Sequence, residues 1–90
     1  MKRITQEITI RNRLGMHARP SAMFAKVASR YQAEIWVEKD GETVNGKSIM
    51  GLMMLAAGEG SLLSVTAEGD DAQEAIQALA GLVESRFDEN

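Results

Sequence analysis

The sequence predicts an α+β fold: an open-faced β-sandwich in the order β-α-β-β-α-β-α, a four-stranded antiparallel sheet covered on one face by three helices. Two observations carry this. Three segments alternate apolar and polar residues with the two-residue period of a strand, so each keeps one polar face. Between and after them run stretches whose apolar residues recur at helical spacing. Strands that each keep a polar face build a sheet that is wet on one side and covered on the other, as antiparallel sheets commonly are. The order in which the strands pair is not legible in the sequence.

Residues 3–11 form the first strand, with Ile4, Ile8 and Ile10 on one face and Thr5, Glu7, Thr9 and Arg11 on the other. Asn12 to Gly15 breaks the alternation. Residues 18–30 turn helical: Met23, Phe24, Val27 and Ala28 make one stripe, Tyr31 extends it, and Pro20 sits in the first turn, where a missing N–H costs nothing. Residues 33–38 alternate again, Ala33, Ile35 and Val37 against Glu34, Trp36 and Glu38. Asp40-Gly41 signals a hairpin, and Thr43-Val44 begin the return strand. Ser48 to Ala57 reads as a short helix stopped by Gly58. Residues 61–68 give the fourth strand, Leu63, Val65 and Ala67 opposing Ser64, Thr66 and Glu68. Asp70 or Asp71 caps a last helix whose buried stripe is Ala72, Ala75, Ile76, Leu79, Leu82 and Val83. The tail from Phe87 to Asn90 is expected to fray into solvent, and Trp36 reads as a lone surface aromatic.

Ninety residues fit one domain, 1–90. Aromatic residues are only 4%, so the core is aliphatic and Met-rich. With no cysteine there is neither a disulfide nor a thiolate metal site, which suits a reducing compartment. The opening MKRITQEITI has basic residues but no apolar stretch of the kind a secretory signal needs, and no apolar run approaches bilayer length. The expected location is therefore the cytoplasm. A net charge of -3 with mixed signs disfavours nonspecific nucleic-acid binding.

His17 is the only histidine. It lies in Gly15-Met16-His17-Ala18-Arg19-Pro20, where the first strand gives way to the first helix. A helix start exposes unpaired N–H groups and partial positive charge, a setting that favours phosphate. A neutral imidazole there offers a lone pair for attack on a phosphoryl donor. Arg19, two residues on, carries a guanidinium suited to phosphoryl oxygens, and Gly15 permits a tight turn. Taken alone, a single histidine near a helix start is more often a cap or a surface residue. A metal site lacks a second histidine or a cysteine to complete a ligand set.

The stretch from Gly15 to Ser21 closely resembles the active-site segment of the histidine-containing phosphocarrier (HPr) family of the bacterial phosphoenolpyruvate-dependent phosphotransferase system. Asn45-Gly46-Lys47-Ser48-Ile49-Met50-Gly51-Leu52-Met53 resembles the same family's second signature, around a regulatory serine. The resemblance covers essentially the whole chain. It implies a carrier rather than an enzyme in the strict sense, without a cofactor of its own. It implies that His17 accepts a phosphoryl group from enzyme I through Nδ1, that Arg19 assists, and that an EIIA-type domain receives the group. It further implies that Ser48 is the target of an ATP-dependent HPr kinase/phosphorylase. Members named for catabolite repression lack the active histidine, which this chain keeps. The acidic C-terminal end resembles the nitrogen-related branch of the system, whereas the stretch around Ser48 resembles the serine-regulated form.

Ser48 also has an ordinary role open to it, as N-cap of the helix that follows. That helix carries Ile49, Met50, Leu52, Met53, Met54 and Leu55 around most of its circumference. Leu52 and Leu55 lie opposite Ile49, Met50 and Met53, so one group packs on the sheet and the other faces out. An exposed Met-rich patch suits docking to unlike partners. Met16 is expected to extend it beside His17, and nothing demands more than a monomer. The competing reading is an α+β interaction or ligand-binding module whose histidine is incidental.

Overall fold

The computed structural model describes residues 2–89. Its elements run β1 (Arg3–Thr9), α1 (Ala18–Ala28), β2 (Glu34–Lys39), β3 (Glu42–Asn45), α2 (Ile49–Met54), β4 (Leu62–Glu68) and α3 (Ala72–Glu84), followed by a 3-10 turn at Arg86–Asp88. The strands form one antiparallel sheet in the order β1-β4-β2-β3. The last strand in sequence therefore lies inside the sheet, paired with β1 on one side and β2 on the other. The hairpin between β2 and β3 closes through Asp40 and Gly41, both at positive φ (52° and 85°) as a two-residue turn requires.

The alternation seen in the sequence sorts the two faces. Ile8, Ile35, Val37, Leu63, Val65 and Ala67 are buried beneath the helices. Against them pack Phe24, Ala25 and Ala28 from α1, Leu52 from α2, and Ala72, Ala75, Ile76, Leu79, Ala80 and Val83 from α3. The opposite face is polar. Thr5 and Thr66 share a hydroxyl hydrogen bond at 2.8 Å, and the Arg3 guanidinium stacks 5.6 Å from the centroid of Trp36. Arg3 also meets Glu68 at 3.6 Å, so Trp36 is half covered by its own sheet.

Three expectations need correction. The second helix ends at Met54, short of Ala57: Ala56 turns left-handed at φ 51°, and the Leu55 and Ala56 N–H groups fold back to Leu52 and Met53 carbonyls. Its stop is thus a backbone reversal upstream of Gly58. Asp71 occupies the N-cap position of α3, yet its side chain does not cap the helix. Its carboxylate instead accepts the Gln32 and Ala33 N–H groups, both at 2.9 Å, tying the start of α3 to the entry of β2. As far as Glu89 the tail does not fray. Phe87 is 2% exposed and belongs to the core. Arg86, Phe87 and Asp88 all adopt left-handed φ (60°, 54° and 59°), a conformation costing about 1–2 kcal/mol for each non-glycine residue. Burial of a phenylalanine, whose removal costs about 3–5 kcal/mol, offsets much of that strain. Asn90 lies outside the described residues.

The Gln32 N–H bond, joined by that from Ala33 and by attraction to Lys47, outweighs desolvation and holds the Asp71 carboxyl below its ordinary value of 3.8. A carboxylate with a depressed folded pKa stabilises the fold above the unfolded value and loses that contribution as pH falls through the folded one. Asp71→Asn is therefore expected to lower Tm at neutral pH. The gap between the two proteins should close as pH falls below 3.8. Thermal unfolding followed across that range checks this, and a gap independent of pH contradicts it.

Candidate functional site

The site is built where β1 hands the chain to α1. After Ile10 the backbone leaves the sheet, and Asn12 to Gly15 make a turn closed by the Gly15 N–H to the Asn12 carbonyl at 3.2 Å. Gly15 adopts φ +70° and passes directly under the segment after α2: a Cβ at this position would lie 2.3 Å from the Ala57 carbonyl oxygen and 2.7 Å from the Gly58 Cα. Only a residue without a side chain fits. The Met16 N–H then donates to the Ala57 carbonyl at 2.8 Å, so the residue before His17 is pinned to the loop that follows α2. The Met16 carbonyl in turn accepts from the buried Ser21 hydroxyl at 2.9 Å.

His17 is the N-cap residue of α1, with extended backbone (φ −74°, ψ −171°) and its carbonyl accepting the Ser21 N–H at 3.0 Å. A side-chain oxygen normally fills the orphan donors of such a turn. Among the described residues no side chain does so here. Pro20 has no N–H, so Ala18 and Arg19 carry the donors that this helix start holds out to an anion. The imidazole is part exposed, 37% of its side chain. Its Nε2 lies 3.2 Å from Glu89 Oε2, and among the described residues Nδ1 has no hydrogen-bond partner. Arg19 is exposed and lines the same hollow as His17, together with Arg13, Leu14 and Glu89. Two guanidinium groups, a helix N-terminus and one carboxylate thus surround the imidazole, and the open N–H donors and positive charge suit an oxyanion.

Ser48 lines neither hollow beside His17; it is the N-cap of α2, where its Oγ accepts the Gly51 N–H at 3.0 Å. The ordinary role expected of it is thus occupied. The circumference of α2 divides as its spacing implies. Leu52 and Leu55 are buried, whereas Ile49, Met50, Met53 and Met54 are exposed, Met50 to 75%. Met53 lines a shallow hollow with Leu14 and His17, so the apolar face runs up to the histidine. Met16 lines the same hollow but adds little exposed surface to it. It is 4% exposed and packs with the core, while its N–H is bonded to the Ala57 carbonyl. Leu14, 68% exposed, occupies the outward position instead. Sequence reasoning also missed Glu89 and Asn12. Asn12 is 1% exposed, and its Nδ2 donates to the Gly15 carbonyl at 2.8 Å and to Glu89 Oε1 at 3.2 Å. An asparagine in a turn is an ordinary turn residue, and only the folded tail reveals its second partner.

Among the described residues no group of three or more His, Cys, Asp or Glu could hold a metal ion, and no helix is long and apolar enough to cross a membrane.

Comparison with known proteins agrees with this geometry. Residues 4–85 match the protein family described as PTS HPr component phosphorylation site. The phosphocarrier protein HPr of Neisseria meningitidis is 48% identical over 86 residues, spanning 96% of this chain and 97% of that protein. The HPr-like protein Crh of Halalkalibacterium halodurans is 46% identical over 81 residues, spanning 90% of this chain and 96% of that protein. The crystal structure of HPr-C-His from Thermoanaerobacter tengcongensis has the same fold, with a TM-score of 0.90 at 51% sequence identity, covering 100% of this chain and 99% of that one.

The close approach at Gly15 generates a direct test. Gly15→Ala meets both a left-handed backbone and the Ala57 carbonyl, and is expected to cost about 2 kcal/mol or more. In a domain of this size that lowers Tm by about 8 °C or more. An unchanged Tm would show that the turn is not constrained as described.

Proposed function

Because the chain belongs to the HPr family of phosphotransferase-system phosphocarriers, we propose that His17 is its phosphoryl acceptor, loaded by enzyme I and discharged to an EIIA-type domain. As an HPr protein it is a carrier, not an enzyme. The observation that carries the proposal is the uncapped start of α1, which places an imidazole and free backbone donors at one point. In the transfer, the Nδ1 lone pair attacks phosphorus, an N–P bond forms on His17, and the donor's bond to phosphorus breaks. The transferred group carries negative charge, which the Ala18 and Arg19 N–H groups and the Arg19 guanidinium are suited to receive. Discharge is the same step reversed, onto an acceptor docked in the donor's place.

Docking falls to the exposed face of α2. Ile49, Met50 and Met53 present an apolar, deformable surface beside the histidine, suited to partners of unlike structure. Ser48 borders that surface. Its phosphorylation by an HPr kinase/phosphorylase would set a double negative charge against the patch and oppose docking by desolvation and repulsion. The protein works in the cytoplasm as a monomer in this reading, in sugar uptake and its regulation. The acidic end of the chain points to the alternative, the nitrogen-related branch, and the enzyme I that loads the protein separates the two.

One experiment addresses carrier, site and regulation together: intact-mass analysis after incubation with phosphoenolpyruvate, Mg²⁺ and a cognate enzyme I. Wild type is expected to gain a single acid-labile phosphoryl adduct, and His17→Ala none. Ser48→Asp should be loaded about tenfold more slowly, equivalent to about 1.4 kcal/mol of lost docking. No wild-type adduct with any enzyme I of the same cell would reject the carrier reading. Loading of Ser48→Asp at the wild-type rate would reject the regulatory one.

A further inference from the structure

The C-terminal segment reaches back to the histidine in a way that the carrier role by itself does not require. The left-handed run at Arg86–Asp88 reverses the chain after α3, with the Asp88 N–H on the Ser85 carbonyl and the Glu89 N–H on the Arg86 carbonyl. Phe87 anchors the reversal in the core. Glu89 is thereby delivered to the start of α1, 72 residues away in sequence, with its side chain largely covered. Its two oxygens have separate tasks. Oε1 accepts from the buried Asn12 amide, which is itself fixed by the Gly15 carbonyl, while Oε2 lies on Nε2 of His17. A carboxylate held by one partner and applied to one nitrogen of an imidazole fixes the tautomer and ring orientation.

We propose that Glu89 is the positioning residue that directs phosphorylation to Nδ1 of His17. It acts in two ways. By accepting the Nε2–H it keeps the proton on that nitrogen and leaves the Nδ1 lone pair for attack. By placing a negative charge against Nε2 it repels an incoming phosphoryl anion from that side. Arg13 and Arg19 line the same hollow and balance the charge without occupying either ring nitrogen. Asn12 holds the carboxylate, so the unit runs Asn12–Glu89–His17, with only the histidine reacting.

This inference deepens the reading of His17 as phosphoryl acceptor, and its test is chosen to stand apart from that reading. The full-length protein is phosphorylated chemically with phosphoramidate, a small donor that needs no enzyme I and can reach either ring nitrogen. The two phosphohistidine isomers are resolved by ³¹P and ¹⁵N nuclear magnetic resonance. Wild type is expected to give mainly the Nδ1 product. In Glu89→Ala the share at Nε2 should rise roughly tenfold, the effect expected of one lost charge-assisted hydrogen bond. Glu89→Gln, which keeps the shape and an acceptor oxygen but not the charge, should fall between the two. Both variants should remain folded, because Phe87 still anchors the tail, with Glu89→Ala losing a few degrees of Tm through the lost Asn12 bond. In the unphosphorylated protein at alkaline pH, the Nε2–H signal of His17 should exchange faster in Glu89→Ala. An isomer ratio unchanged in folded Glu89→Ala, or an Nε2 product dominant in wild type, would overturn the proposal. A wild-type protein that gives the Nδ1 product with phosphoramidate but no adduct with any enzyme I would remove the carrier reading and leave this one standing.

Discussion

The site depends on one close contact, the passage of Gly15 beneath the Ala57–Gly58 backbone. Because no side chain fits between them, two loops that belong to different halves of the sequence touch main chain to main chain. That contact brings the Met16 N–H onto the Ala57 carbonyl, while the Met16 side chain packs with the core. His17 follows immediately, so its backbone is fixed on one side by the sheet's connecting loop and on the other by the first turn of α1. The same contact brings α2, with its outward apolar residues, against the histidine. His17 and the exposed apolar face of α2 are neighbours because a single glycine has no Cβ.

An α-helix that starts without a side-chain cap gives up stabilisation that most helices obtain, about 0.5–2 kcal/mol. Here the N-cap position is given to an imidazole, which leaves the first-turn donors open. The fold compensates around it. Ser21 is buried and bonded to the Met16 carbonyl, Pro20 pre-sets the helical backbone without adding an unpaired N–H, and Asn12 fastens the turn from below. The strained reversal at Arg86–Asp88 follows the same pattern, an unfavourable backbone held in place by the buried Phe87. Both of these departures from the most stable local choice lie beside His17.

What the sequence made legible follows the range of the interactions involved. Strand alternation and helical stripes are local, and they gave the element order, the wet face of the sheet and the division of α2 into Leu52 and Leu55 inside against Ile49, Met50 and Met53 outside. His17, Arg19 and Ser48 stand out in the sequence because short motifs surround them. The features that escaped depend on distant partners or on backbone reversals that composition does not mark. Phe87 and Glu89 read as a solvated tail because nothing near them in sequence says that the chain turns back. Asp71 looked like an ordinary cap because its true partners, the Gln32 and Ala33 N–H groups, lie some forty residues earlier. Met16 looked like surface beside the histidine because its tether to Ala57 is a main-chain bond, invisible to side-chain pattern. The strand order, with β4 inserted between β1 and β2, is likewise a property of packing rather than of any one segment.

The central claim is that His17 is held rigidly from both flanks while its side chain stays open to a partner. Native-state amide hydrogen exchange at Met16 and Ser21 tests it most directly, since the first N–H is bonded to Ala57 and the second to His17 itself. Both amides are predicted to exchange as slowly as the central residues of β4, opening only with the global unfolding of the domain. Exchange at either position near the rate of an unstructured peptide would mean that the loop moves independently of the core, and the account of a preorganised acceptor would fail.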